Sequence, residues 1–337
     1  MSITSVRTKD SNFEALRTIA VGLVILLHTS GQLLDWSKNN FNFDFWIYNI
    51  FDSFSRVCVP LFLMISGKFL LQKSENYLVF YKKRFSRILF PLIFWTIVFS
   101  FFSCWMLFGR IDFQYILNGI KIGRPYYHLW YLFMLPGMYL ISPFLQFILK
   151  TTSKQHKLII SFAFIMISMI YDIIVFNYKL SIPFPFWFMS YLGYYVLGNV
   201  IGNEIPRFKS KTYLVFYITT ALLIAFFTWF TMSKFNGNQY FYAASSPIVV
   251  LSTYSLFNLI RSLKFDSNHI LVRLGKYSFG IYLIHTIPLE LIFKYEQYLH
   301  FSELNPLIKI IFYFSISATI SLFSSIIIYK YFRKIIE

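Results

Sequence analysis

Glu14, Arg17 and His28 are the only ionisable groups of an otherwise apolar stretch, EALRTIAVGLVILLH, and chemistry is sought there first. An imidazole suits proton transfer or nucleophilic attack, because its neutral form carries both a donor and a lone pair near neutral pH. Eleven positions separate Arg17 from His28. At roughly 100° per residue this is about three turns plus 20°, so a helix would set both on one face about 16 Å apart. Glu14, three positions before Arg17, faces it across one turn and can hold its guanidinium in place. Arg56 lies about eight residues into another apolar run, at a depth similar to that of His28. A guanidinium beside an imidazole disfavours a second positive charge and keeps the ring neutral, the form a general base requires. The plainer alternative gives Arg56 to helix-end carbonyls and His28 to a neighbouring helix.

Other groups are read in the same two ways. Lys68, Lys73, Lys82, Lys83, Arg84 and Arg87 precede the apolar run ILFPLIFW. Arg84 and Arg87, one turn apart and beside Lys83, would grip the phosphates of a nucleotide or coenzyme A; the same cluster would equally serve topology or anionic lipid. His128 lies in RPYYHLWYL among Tyr126, Tyr127, Trp130 and Tyr131, a rim suited to stacking on sugars or to an interfacial belt. His285 reads as a helix-packing partner, and Glu290, just past Pro288, as a cap or the partner of a basic group. Cys58 and Cys104 read as packing residues. The chain has no P-loop, GxSxG elbow, HExxH or clustered histidine and carboxylate set, so nucleotide-driven transport, serine hydrolysis and metal chemistry are not expected.

These groups need a scaffold, and composition says which. The 337 residues are 57% apolar and 13% charged, with a mean hydropathy of +0.58. Such a chain is a polytopic, all-α membrane protein rather than soluble domains. Spans are expected at 15–34, 48–71, 88–108, 127–149, 158–176, 184–202, 213–232, 243–262, 277–295 and 306–328. The net charge of +17 belongs to short loops, so nucleic acid is not an expected partner. The N-terminus, alternate connections and C-terminus hold about 22 of the 31 Lys and Arg, and the opposite set about 8, which places both termini in the cytoplasm. The first span lacks a cleavage site and reads as retained. One integral domain over 1–337 is expected, with no appended soluble module.

Six ordered blocks carry a family resemblance: EALRTIAVGLVILLH, SRVCVPLFLMISG, YKKRFSRILFPLIFW, YYHLWYLFMLPGMYLISPFLQ, WFMSYLGYYVLGN and YSFGIYLIHTIPLE. Their order and spacing resemble the acyltransferase family 3 membrane O-acyltransferases, whose hallmark is an Arg, ten residues and a His. The nearest pattern is the group resembling the enterobacterial common antigen O-acetyltransferase. Glu14 stands where Asp is commoner, and no SGNH hydrolase-like domain follows the last span. The resemblance implies transfer of an acyl group, most often acetyl, from cytoplasmic acetyl-CoA to a hydroxyl of a cell-envelope glycan or its lipid-linked repeat unit, in a bacterial cytoplasmic membrane. It implies that His28 is catalytic, with Arg17, Glu14 and Arg56 in support. Arg17, Lys83, Arg84 and Arg87 would hold the coenzyme, and Tyr127, His128 and Trp130 the acceptor. His28 would act as a general base or as an acyl-histidine relay. The competing class is a transporter or flippase for a lipid-linked glycan; a third is a degenerate member acting as a structural partner in polysaccharide export.

Overall fold

The computed structural model describes residues 3–336 except 39, 74, 179, 181–182, 236 and 299–300. Among them the chain is all α. Its helices are α1 (Ile3–Ser37), α2 (Phe43–Ser55), α3 (Cys58–Leu70), α4 (Tyr77–Phe108), α5 (Phe113–Lys121), α6 (Trp130–Thr151), α7 (Lys154–Tyr178), α8 (Leu192–Ile201), α9 (Ser210–Lys234), α10 (Pro247–Ser262), α11 (Ile270–Leu274), α12 (Ser278–Ile284), α13 (Thr286–Tyr295) and α14 (Pro306–Tyr331). Eight stretches are long and apolar enough to cross a bilayer: α1 from Ser11, the α2–α3 pair, α4, α6, α7 to Val175, α9, α10 with the turn before it, and α14. This is a multi-spanning membrane protein.

Three of the ten expected spans, 48–71, 184–202 and 277–295, are not single helices. The 184–202 stretch opens as a 3-10 turn, Phe184–Tyr191, with Pro185 in its first turn, and only then becomes α8. The 277–295 stretch breaks at His285, which ends α12 and starts α13. Proline lacks an amide donor, so Pro288 leaves the carbonyl of Ile284 without its helical bond and favours a break there. The α2–α3 joint has the same origin: Pro60 frees the carbonyl of Arg56, and Arg56 and Val57 form the turn between the helices. Both joints fall at charged or titratable side chains.

The central helix is α1, which packs against α2, α3, α10, α11, α12 and α14. Its buried positions Ala15, Leu16, Ala20, Val21, Val24 and Ile25 recur at three- and four-residue spacing, and the two alanines let neighbours approach. The closest crossing is α3 with α8. A Cβ at Gly67 would lie 1.7 Å from the Tyr195 carbonyl oxygen, and one at Gly198 would lie 2.0 Å from that of Met64, so only glycine permits this contact. By contrast α7 and α14 turn rows such as Ile159, Phe162 and Ile170, or Ile308, Ile311 and Phe323, outward to lipid. The polar side chains below are thus gathered around α1.

Candidate active site

Because α1 is unbroken, Arg17 and His28 keep the spacing of one helix face. Arg17 Nη1 bonds the Glu14 carboxylate, as the i, i+3 spacing requires. Both line an inner cavity of about 650 Å³ that also takes Ser66 from α3, Arg87 from α4, Lys276 from the turn before α12, and Ser278 and Tyr282 from α12 itself. Arg333 and Ile336, past the end of α14, close one side. Ile336 is buried, and the Trp95 indole of α4 donates to the Ile335 carbonyl at 2.8 Å, pinning that segment against the bundle. Among the described residues, four cations and one carboxylate, Glu14, therefore face this cavity.

Tyr282 joins this cavity to a cluster of three imidazoles. Its hydroxyl donates to the His128 carbonyl at 2.5 Å, and its own carbonyl lies 2.7 Å from His285 Nδ1. The His285 ring is 5.2 Å from that of His28 and 5.4 Å from that of His128, centre to centre. Tyr127 meets His28 edge-on at 5.0 Å, and its hydroxyl faces the Glu290 carboxyl. His28 is partly exposed, whereas His128 and His285 are fully buried. His128 Nε2 approaches the Leu283 carbonyl at 3.3 Å, while His128 Nδ1 and His285 Nε2 have no hydrogen-bond partner among the described residues.

This revises three expectations and extends one. His128 is not on an exposed rim: the 124–129 loop folds inward and packs it against Phe99, with ring centres 4.6 Å apart, so it has no face for a sugar. His285 makes the helix-packing bonds expected of it, to the Tyr282 carbonyl and from Ser317, and is also a neighbour of His28. Glu290 meets a phenol, not a basic group. Lys83 and Arg84 do not line the inner cavity; they turn to Glu75, with contacts of 2.7 and 3.5 Å, while Arg87, one turn on, faces inward. The bond from Lys83, opposed by partial desolvation, holds the Glu75 carboxyl below the usual carboxylate range.

On the other side of His28, Arg56 projects from the α2–α3 joint. Its Nε donates to Asp52 Oδ2 at 2.9 Å, its Nη2 bonds the same oxygen, and its guanidinium lies 3.8 Å from the centre of the Tyr242 ring. Tyr242 in turn bonds Asn49, which donates to the Ala225 carbonyl at 3.0 Å. A Cβ at Gly31 would lie 3.4 Å from Asp52 Oδ1, so α1 passes this carboxylate three residues beyond His28. Removing one member of such a pair leaves a buried charge uncompensated, at a cost of roughly 3–5 kcal/mol. Arg56 is fixed in place.

Arg56 and Trp130 line an outer cavity of about 490 Å³ with Arg124, Asp172, Trp187, Tyr191, Gln239 and Tyr242. Trp130 lies 5.7 Å from Tyr191 and 6.3 Å from Trp187, while Arg124 covers Trp187 at 4.7 Å. Asp172 accepts from Ser245 Oγ at 2.6 Å. Asp52 and Asp172 went unmarked in the sequence, although a carboxylate inside an apolar run is a signal and Asp52 stands four residues before Arg56. Trp187 and Tyr191 gave no usable signal, since interfacial aromatics look the same.

The arrangement offers an inner chamber lined by cations and an outer chamber lined largely by aromatic rings; the imidazoles line neither, and Tyr282 links their cluster to the inner one. Among the described residues no group of three or more His, Cys, Asp or Glu is placed to hold a metal ion. No curated protein and no solved structure matches the chain. Residues 10–329 match the acyltransferase domain Acyl_transf_3. With nearly its whole length inside that match, the chain belongs to the Acyl_transf_3 family of membrane acyltransferases and is an enzyme of acyl transfer.

Proposed function

We propose that the protein moves an acetyl group from acetyl-CoA, bound in the inner cavity, to a hydroxyl of a cell-envelope polysaccharide or its lipid-linked repeat unit, bound in the outer one. In this reading the inner cavity faces the cytoplasm, the broken stretches 184–202 and 277–295 complete ten crossings, both termini are cytoplasmic, and the membrane is the bacterial cytoplasmic membrane. The best-fitting subgroup is that of the enterobacterial common antigen O-acetyltransferase. One observation supports the reading above others: Tyr282 lines the basic cavity, and its hydroxyl and carbonyl bond the His128 backbone and the His285 ring, so a single residue links the cavity to the imidazole cluster.

Arg17, Arg87, Lys276 and Arg333 hold the phosphates of the coenzyme through charge-assisted bonds. The pantetheine arm then follows α1 from Arg17 toward His28, a path of about 16 Å at 1.5 Å per residue. His28 takes the proton of the acceptor hydroxyl as its oxygen attacks the thioester carbonyl; the carbon–sulfur bond breaks, and the thiolate leaves with the proton from the imidazolium. Arg56, oriented by Asp52, supplies the positive charge nearest the developing oxyanion. In the relay version His28 itself accepts the acetyl group from sulfur and passes it to the hydroxyl. The two versions part in a single experiment, since only the relay leaves an acetyl-histidine when acetyl-CoA is supplied without acceptor.

The deciding measurement is the O-acetyl signal in proton NMR of envelope polysaccharide from cells lacking the protein, complemented by wild type or His28→Ala at equal membrane levels. The reading requires the signal to vanish in the deletion and return with wild type alone. An unchanged signal, with glycan altered in amount or location, would transfer support to a flippase.

A further inference from the structure

His285 has no part in the steps above, yet its imidazole lies closer to that of His28 than any other residue's. We infer that His285 is a positioning residue for His28: its bare Nε2 accepts the N–H on the far side of the His28 ring, orients that ring, and stabilises the imidazolium formed when the acceptor proton is taken. The inference rests on the acyl-transfer reading and adds a second histidine to it.

The tautomer of His285 is settled by its surroundings. A carbonyl oxygen only accepts, so the 2.7 Å contact with the Tyr282 carbonyl places the ring proton on Nδ1 and leaves Nε2 a lone pair. That nitrogen is fully buried and has no donor among the described residues, an uncommon state for an interior polar atom. The backbone beneath it is fixed, since Ser317 Oγ of α14 donates to the His285 carbonyl at 2.8 Å where α12 meets α13. The ring is held, and its free acceptor faces the cluster's own need for one.

Distance supports the pairing. An imidazole nitrogen lies roughly 1.1 Å from the ring centre, so two rings joined by an N–H···N bond of about 2.9 Å have centres about 5.1 Å apart. The observed separation of His28 and His285 is 5.2 Å, with ring planes 27° apart. That bond requires the His28 ring to turn about its own side-chain bonds so that its N–H meets the lone pair. His128 is less suited, because its ring stands at 82° to His285 and its Nε2 is given to Leu283.

A neutral acceptor also fits the chemistry better than a carboxylate would. The nearby carboxylates have other partners: Glu14 holds Arg17, Asp52 holds Arg56, and Glu290 faces Tyr127. A carboxylate on His28 would favour the imidazolium already at rest more strongly than a neutral acceptor does. The lone pair of His285 leaves His28 neutral, then gains a charge-assisted bond when the proton arrives, so it stabilises the transition state more than the ground state. His285 gains and loses no proton over the cycle: the hydroxyl proton enters on one nitrogen of His28 and leaves on the coenzyme thiol.

The test uses the full chain in lipid nanodiscs, acetyl-CoA, and envelope glycan extracted from cells lacking the protein, with release of coenzyme A thiol as readout. His285→Phe keeps a ring and removes the acceptor; its kcat should fall on the order of 10²-fold, less than the 10⁴-fold seen when a serine protease loses its charged orienting aspartate. Acetyl-CoA affinity and the KM for glycan should stay within twofold. His285→Gln, whose amide oxygen can replace Nε2, should recover about tenfold over His285→Phe. Where the Phe ring abolishes acetyl-CoA binding, His285→Leu replaces it in the same contrast. Wild-type kcat in the variant lacking an acceptor, or a Gln variant as slow as it with acetyl-CoA binding intact, would overturn the inference alone. A wild-type protein that binds acetyl-CoA but releases no thiol would overturn the acyl-transfer reading beneath it.

Discussion

The inner cavity sets Arg17, Arg87, Lys276 and Arg333 around one carboxylate, Glu14, whereas the outer sets Arg56 and Arg124 beside Asp172 and the rings of Trp130, Trp187, Tyr191 and Tyr242. In the outer cavity the charges are already met: Arg56 by Asp52, Arg124 by the face of Trp187, and Asp172 by Ser245. Its selectivity must come from ring faces and hydrogen-bond geometry, which act over a few ångströms. Among its described lining residues the inner cavity has more cations than carboxylates, and such charge acts over a Debye length of about 8–10 Å and suits a polyanion. In the proposed reading one bundle recognises its two ligands by different physics, and salt is the variable that separates them.

The largest expected effect lies at the imidazole cluster. His28→Ala should lower kcat by at least about 10³-fold, the scale of losing an acid–base or nucleophilic group, and leave the acetyl-CoA Kd within twofold. Equilibrium binding of acetyl-CoA beside turnover of extracted glycan measures both. A fall in affinity matching the fall in rate would mean that His28 belongs to the inner cavity, and the division into two chambers would fail.

How much of this was legible before folding depends on which physics placed each group. Arg17 and His28 were placed by helical period alone, and α1 keeps that period because nothing in it breaks a helix. Hydropathy pointed to ten spans where eight stretches are long and apolar enough to cross; it does not register what Pro60, Pro288 and the segment around Pro185 do to backbone bonding, and three spans came out broken. Neighbourhood across the bundle was not readable. His285 lies 257 positions from His28, and only the packing of α1 against α12 brings their rings together. Lys83 and Arg84 looked equivalent to Arg87 in the sequence; a carboxylate at Glu75, eight residues before Lys83, draws those two aside and leaves Arg87 for the cavity. The outer chamber was hidden for the opposite reason, since its tryptophans and tyrosines are indistinguishable from residues that merely sit at a bilayer surface.

Arg87→Ala sharpens the contrast from the inner side. Loss of one charge-assisted phosphate contact should raise the acetyl-CoA Kd roughly 5–20-fold at low ionic strength, with most of the difference gone in about 0.5 M salt. Arg84→Ala should change it less than about twofold, since Arg84 is turned toward Glu75. From the outer side, Trp187→Ala should raise the KM for glycan about threefold to tenfold, the scale of about 0.5–1.5 kcal/mol for a stacked ring, and leave the acetyl-CoA Kd unchanged at every salt concentration. A salt-dependent effect of Trp187→Ala would show that the outer cavity also binds through charge, by way of the Arg124 that rests on this ring.

The smallest effect is expected at Glu75, and it probes why the inner cavity has the cations it has. The bond from Lys83 holds this carboxyl below the usual range, so its contribution to stability is complete above the ordinary glutamate pKa near 4.3 and is lost as pH falls through the lowered folded value. Glu75→Gln should therefore lower Tm by about 1 °C at pH 7, as befits a surface ion pair, and match wild type once the medium is acid enough to protonate Glu75. The same substitution releases Lys83 and Arg84 beside Arg87. If charge alone governs the inner cavity, acetyl-CoA should then bind slightly tighter at low salt, by less than about twofold, and equally at high salt. Weaker binding in Glu75→Gln would mean that Glu75 acts by fixing the start of α4, and with it the direction of Arg87, rather than by holding two cations aside.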